Sequence, residues 1–70
     1  MTFTEKNANV NGGRFTVSIY SYQKGDNTVY LVRLVENDNG VSYMRKFTAF
    51  GNLKSAMNAF NRYKSIARGL

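Results

Sequence analysis

The stretch Thr28-Val29-Tyr30-Leu31-Val32-Arg33-Leu34-Val35-Glu36, then Asn37-Asp38-Asn39-Gly40, then Val41-Ser42-Tyr43-Met44-Arg45-Lys46-Phe47-Thr48-Ala49-Phe50, decides the fold. Two runs rich in β-branched and aromatic residues flank an Asn-Gly pair, the strongest short-range signal for a β-hairpin. The first run is the most apolar in the chain, as a central strand should be. Upstream, Arg14 to Tyr22 sets Phe15, Val17 and Ile19 against Thr16, Ser18 and Tyr20. That period of two predicts a further strand, joined to the hairpin by a turn at Gln23-Lys24-Gly25-Asp26-Asn27.

Downstream the period changes. Gly51 breaks the strand pattern and Asn52 offers a side-chain oxygen to cap a helix. Leu53, Ala56, Met57, Phe60, Tyr63 and Ala67 recur at spacings of three and four, one apolar stripe of an α-helix. Gly69 is a natural stop. The expected fold is α+β: a three-stranded antiparallel meander with one C-terminal helix packed on one face, in the order βββα, over residues 14–70. Residues 1–13 end in Asn7-Ala8-Asn9-Val10-Asn11-Gly12-Gly13, which tolerates left-handed backbone and reads as a flexible N-terminal arm. Phe3 is the arm residue able to dock on the body.

Seventy residues make one domain with a thin core, burying about 60% of the surface an unfolded chain exposes. No cysteine is present, so a disulfide framework and thiolate metal sites are excluded. No apolar run approaches the length of a membrane span, and Met1-Thr2-Phe3-Thr4-Glu5-Lys6 lacks the pattern of a signal peptide. A cytoplasmic location in a host cell is the expectation. Nine asparagines give the composition a flavour of an AT-rich phage or plasmid genome.

The net charge of +6 is placed unevenly. Residues 1–38 balance Lys6, Arg14, Lys24 and Arg33 against Glu5, Asp26, Glu36 and Asp38. Residues 39–70 hold Arg45, Lys46, Lys54, Arg62, Lys64 and Arg68 and no acid. A one-signed field attracts a partner of opposite sign and speeds encounter. The plainer reading is a solvated surface with net charge away from zero.

Register decides which residues can touch a partner. Counting back from an Asn39-Gly40 turn sets Arg33 opposite Lys46, Leu34 opposite Arg45 and Val32 opposite Phe47. One face then carries Tyr30, Val32, Leu34, Val41, Tyr43, Phe47 and Ala49, and the helix is expected there beside Phe15, Val17 and Ile19. The open face is expected to show Thr16, Ser18, Tyr20, Tyr22, Arg33 and Lys46, with Leu31 and Met44 between them. A first hairpin loop one residue longer would instead send Tyr20 and Tyr22 to the core. Arg33 facing Lys46 would repel unless an anionic partner bridges them or both splay into water.

Catalytic chemistry is poorly supplied. There is no His, no Cys, no placed acid pair and no phosphate-binding glycine motif, so the chain is read as a non-enzyme without metal or cofactor. What remains is a basic and aromatic surface. Arg and Lys contact phosphates and Tyr stacks on bases, but Arg and Tyr also anchor protein interfaces. The candidate contact residues are Tyr20, Tyr22, Arg33, Arg45, Lys46, Lys54, Arg62, Lys64 and Arg68. Tyr30, Tyr43 and Tyr63 are expected to pack.

Two resemblances follow. The segment Phe15-Thr16-Val17-Ser18-Ile19 with Val32-Arg33-Leu34-Val35-Glu36-Asn37-Asp38-Asn39-Gly40 resembles the hairpins of small phage anti-CRISPR proteins, several of which share the strand–strand–strand–helix order. The segment Phe47-Thr48-Ala49-Phe50-Gly51-Asn52-Leu53-Lys54-Ser55-Ala56-Met57-Asn58-Ala59-Phe60 resembles the last strand and helix of AP2-type and integrase N-terminal DNA-binding domains. The second implies base or phosphate contacts near Arg33, Met44 and Lys46. The first implies an inhibitor that blocks a surface of a host protein or nucleoprotein complex, such as a CRISPR effector. The alternatives that stay open are direct binding to DNA or RNA and a homodimer formed through Leu31, Val35 and Met44. No membrane partner is expected, and the chain is read as a monomer or homodimer.

Overall fold

In the computed structural model, which describes residues 6–70, Asn39 and Gly40 both take positive φ, 52° and 80°, and Asp38 stands opposite Val41. These are the dihedral signs of the two-residue hairpin turn that Asn-Gly favours. The turn joins two long strands, β3 (Asn27–Asp38) and β4 (Val41–Phe50). Before them run β1 (Lys6–Val10) and β2 (Phe15–Lys24), and after them the helix α1 (Leu53–Arg68). The chain is α+β, with one antiparallel sheet of order β1-β2-β3-β4.

The sheet has four strands, not the three expected. Part of the segment read as an arm is β1, which pairs with β2 from Lys6 opposite Ile19 to Val10 opposite Phe15. Lys6, Ala8 and Val10 point to the helix side, while Asn7 and Asn9 point away. Asparagine is depleted in strands, which hid this alternation. Here the amides have cross-strand partners: the Thr16 hydroxyl donates to Asn9 Oδ1 at 3.2 Å and the Ser18 hydroxyl to Asn7 Oδ1 at 2.6 Å. The glycines do form a loop. Asn11, Gly12 and Gly13 all have positive φ, and Asn11 Nδ2 donates to the Ala67 carbonyl at 2.8 Å, tying the loop to the helix C-terminus. The expected docking of Phe3 lies outside the described residues.

The β2–β3 hairpin turns at Gly25-Asp26, with Gly25 at φ 62° and Lys24 opposite Asn27. Phe15, Val17 and Ile19 thereby share a face with Glu36, Leu34 and Val32, as the expected face assignment requires. The helix starts where anticipated. Asn52 is extended and its side-chain oxygen accepts from the Ser55 amide at 2.8 Å. It ends at Arg68, and Gly69 closes it at φ −86°, right-handed, with its N–H shared between Ser65 and Ile66 carbonyls.

The core lies between α1 and the middle of the sheet. Ala56, Ala59, Phe60, Tyr63 and Ala67 pack on Val10, Phe15, Val17, Ile19, Val32 and Leu34, all buried. Small alanines let the helix approach closely, and Phe60 fills the space between them. Leu53, counted into the apolar stripe, is half exposed at the helix start. No helix among the described residues is long and apolar enough to cross a membrane.

β4 departs from the expected register. Arg33 faces Phe47 and Leu34 faces Lys46, but Val35 faces Met44, leaving Arg45 as an extra residue in a β-bulge. Beyond the bulge every side chain changes face. Lys46, Thr48 and Phe50 turn to the helix side, and Phe47 and Ala49 turn to the open side. The Thr48 and Tyr63 hydroxyls meet at 2.8 Å, which joins the edge strand to the helix.

Phe60→Ala should lower stability by about 3–5 kcal/mol, because a fully enclosed ring is removed and a cavity remains. A domain of this size holds only some 0.05–0.15 kcal/mol per residue in total. A thermal melt followed by far-ultraviolet circular dichroism is expected to show loss of the cooperative transition; an unchanged midpoint would contradict the packing described.

Candidate functional site

A helix covers one side of the sheet, and among the described residues no element covers the other. Alternation along four paired strands dictates what that open face presents. Across its middle, Asn7, Ser18, Arg33 and Phe47 stand side by side, one from each strand. On one flank lie Tyr20, Leu31 and Ala49, then Tyr22 and Val29. On the other lie Asn9, Thr16, Val35 and Met44, then Asn37 and Ser42. Tyr22, Met44 and Phe47 are exposed by 44%, 54% and 54%, more than ordinary strand packing leaves of large apolar groups.

Arg33 is the one charged residue in the middle of this face, with Lys24 at the far end beside the turn. The strands place no carboxylate here: Glu36 and Asp38 point to the helix side. The Arg33 guanidinium lies over Tyr20, its carbon 5.4 Å from the ring centroid, a cation–π arrangement. Its Nε is buried without a hydrogen-bond partner. Among the described residues no carboxylate lies within ion-pair distance of Arg33. A buried donor left unpaired costs about 1–3 kcal/mol.

The polar groups around Arg33 are already engaged. Asn37 Nδ2 donates to the Gly13 carbonyl and to Thr16 Oγ1, both at 3.0 Å, and Asn37 Oδ1 accepts from Ser42 Oγ at 3.0 Å. With the Thr16–Asn9 bond, this polar row crosses all four strands. Between it and Arg33 the surface dips, forming a depression of about 370 Å³ lined by Ser18, Val35, Asn37 and Met44.

The remaining cations lie on the helix side. Glu36 holds two of them: its Oε2 is 3.3 Å from Arg14 Nη2 and its Oε1 3.3 Å from Arg45 Nη1. Lys6 and Lys64 place their Nζ atoms 5.7 Å and 5.1 Å from the Phe60 ring centroid. Lys54, Arg62 and Arg68 are exposed on the helix, which carries no acid. Arg45 and Lys46 line a second depression of about 410 Å³ with Leu34, Ile66 and Leu70, between β4 and the end of α1.

The nine candidate contact residues therefore divide into two groups. Tyr20, Tyr22 and Arg33 come together on the open face. Arg45, Lys46, Lys54, Arg62, Lys64 and Arg68 gather on the helix side. The expected pairing of Arg33 with Lys46 does not exist, because the bulge turns Lys46 to the opposite face. Phe47, expected in the core, is an exposed member of the open face for the same reason. Tyr43 and Val41 keep their expected side but are half exposed, since α1 sits over the inner strands and leaves this edge bare. Phe47 was invisible to a count from the turn. The only hint was the Arg45-Lys46 pair interrupting an alternating strand.

In comparisons with known proteins, no family model, curated protein or solved structure matches this chain.

Because among the described residues its guanidinium has no hydrogen-bond or ion-pair partner, Arg33 is expected to contribute little to folding. Arg33→Met should leave stability within about 1 kcal/mol of wild type, the lost cation–π contact being offset by relief of the buried donor. Urea denaturation measures this, and a loss well beyond that would show a structural role for the guanidinium.

Proposed function

We propose that the chain is a non-catalytic binding protein whose open sheet face covers a protein surface, in the manner of an anti-CRISPR-type inhibitor blocking a host nucleoprotein defence complex. One observation carries this reading: the composition of the open face. Interface centres are rich in Tyr, Phe, Met and Arg and poor in Lys, Asp and Glu. The middle of this face has Tyr20, Tyr22, Met44, Phe47 and Arg33, and none of the depleted charges. The molecule extends 39 and 22 Å along its two longer axes, roughly the footprint of the ~800 Å² that each partner contributes to a standard interface. The defence-complex target rests on the anti-CRISPR resemblance of the hairpin segments.

A second reading, direct binding of DNA or RNA, is favoured by a different observation. The helix side gathers Lys54, Arg62, Lys64 and Arg68 with Lys6 and Lys46 and, on the helix itself, no carboxylate. Nucleic-acid affinity draws on phosphate neutralisation by several cations, and that surface has them while the open face has one in its middle.

Two linked measurements separate these readings. Immobilised chain is incubated with nuclease-treated bacterial lysate, and random duplex DNA is titrated across a salt series. The inhibitor reading expects a retained protein that is lost with the Tyr22→Ser, Phe47→Ser double variant, and weak DNA binding. Retention of no protein, with DNA affinity at ~50 mM salt falling steeply as salt rises, would replace it with the second reading.

A further inference from the structure

Resting on the reading that the open face meets a protein, we infer that Arg33 is a carboxylate-binding site: the partner presents an Asp or Glu side chain that enters the depression beside Ser18, Val35 and Met44. A guanidinium carries five N–H donors in a planar fork and cannot shed its charge. Among the described residues the Arg33 side chain donates no hydrogen bond and forms no ion pair, and its Nε is buried. Among the described residues no hydrogen bond runs from Arg33 to the side chains around it, which bond to other groups. Ser18 is committed to Asn7, and Thr16, Asn37 and Ser42 are committed to one another and to Asn9 and Gly13. The frame is locked before any partner arrives, so little ordering remains to oppose binding.

The surroundings choose the class of anion. Tyr20 holds the guanidinium from one side at 5.4 Å, and Phe47 stands directly across from it on β4. Val35 and Met44 supply an apolar border. A partner seated on this rim would exclude water, and a charge pair inside strengthens as the local dielectric falls. The planar carboxylate matches the fork in two parallel hydrogen bonds. The depression, about 370 Å³, has room for a short acidic side chain. A nucleic acid would bring a row of phosphates to a place with one central cation, where one neutralised phosphate gives little affinity. A second copy fits no better: an isologous contact would have to bring an acid of the same face to Arg33, and among the described residues the strands place none there.

The test uses the full chain labelled with nitrogen-15, watching the Arg33 Nε–H resonance assigned by its absence in Arg33→Lys. The probes are the capped tripeptides acetyl-Leu-Glu-Leu-amide and acetyl-Leu-Gln-Leu-amide, inorganic phosphate, and a short oligothymidylate. The Glu peptide should shift Arg33, Ser18 and Tyr20 saturably in the millimolar range. The Gln peptide should bind at least about tenfold more weakly, a difference near 1.4 kcal/mol. Arg33→Lys, which keeps the charge without the fork, should lose most of that discrimination while retaining the wild-type spectrum elsewhere. Equal binding of the two peptides, or a response to phosphate or oligothymidylate alone, overturns the inference. Equal capture of a lysate protein by wild type and Arg33→Gln would also overturn it and leave the open-face reading standing. Saturable Glu-peptide binding with no lysate partner would do the reverse.

Discussion

One amphipathic helix can cover one face of a sheet. Everything distinctive about this molecule follows from that limit. Phe60 and the alanines beside it seal the side formed by Phe15, Val17, Ile19, Val32 and Leu34. The same strands, by their period of two, must project a second set of residues into the open. In most such domains that set is dotted with charges of both signs. Here it is made of aromatic, aliphatic, hydroxyl and amide groups around a single arginine, with Lys24 at the far end. The cations that give the chain its net charge are on the helix side, and one carboxylate, Glu36, occupies both Arg14 and Arg45.

The bulge at Arg45 sharpens this division. An unbroken ladder would have set Lys46 beside Arg33 and buried Phe47 under the helix. One extra residue reverses both, sending the lysine to the basic side and the phenylalanine to the apolar one. It also bends the exposed edge strand and places two cations on it, features that discourage edge-to-edge pairing with another sheet. Val41, Tyr43, Met44 and Phe47 would otherwise make β4 an inviting template.

Much of this could be read from the residues. The Asn39-Gly40 turn, the strands before and after it, the Asn52 cap and the helix were all legible, because each depends on local chemistry: positive φ, alternation, a capping oxygen, a stripe at helical spacing. So was the shared placement of Tyr20, Tyr22 and Arg33. Two features were not. β1 is spelled Lys6-Asn7-Ala8-Asn9-Val10, and its asparagines become strand-compatible only when Thr16 and Ser18 arrive as partners. The bulge is a non-local choice: it satisfies the helix side with Thr48 bonding Tyr63, a contact that no count along β4 contains. Charge sums along the chain were also silent on which side of a sheet each cation would stand.

The central claim is that the uncovered sheet face, not the basic helix, is the surface in contact when this protein is at work. Hydroxyl-radical footprinting of the chain, free and in complex with whatever it captures, tests that most directly, since aromatic and thioether side chains report their own solvent access. Tyr20, Tyr22, Met44 and Phe47 should lose reactivity in the complex while Met57 and Tyr43 on the opposite side keep theirs. Unchanged reactivity at Tyr22 and Phe47 would contradict the account.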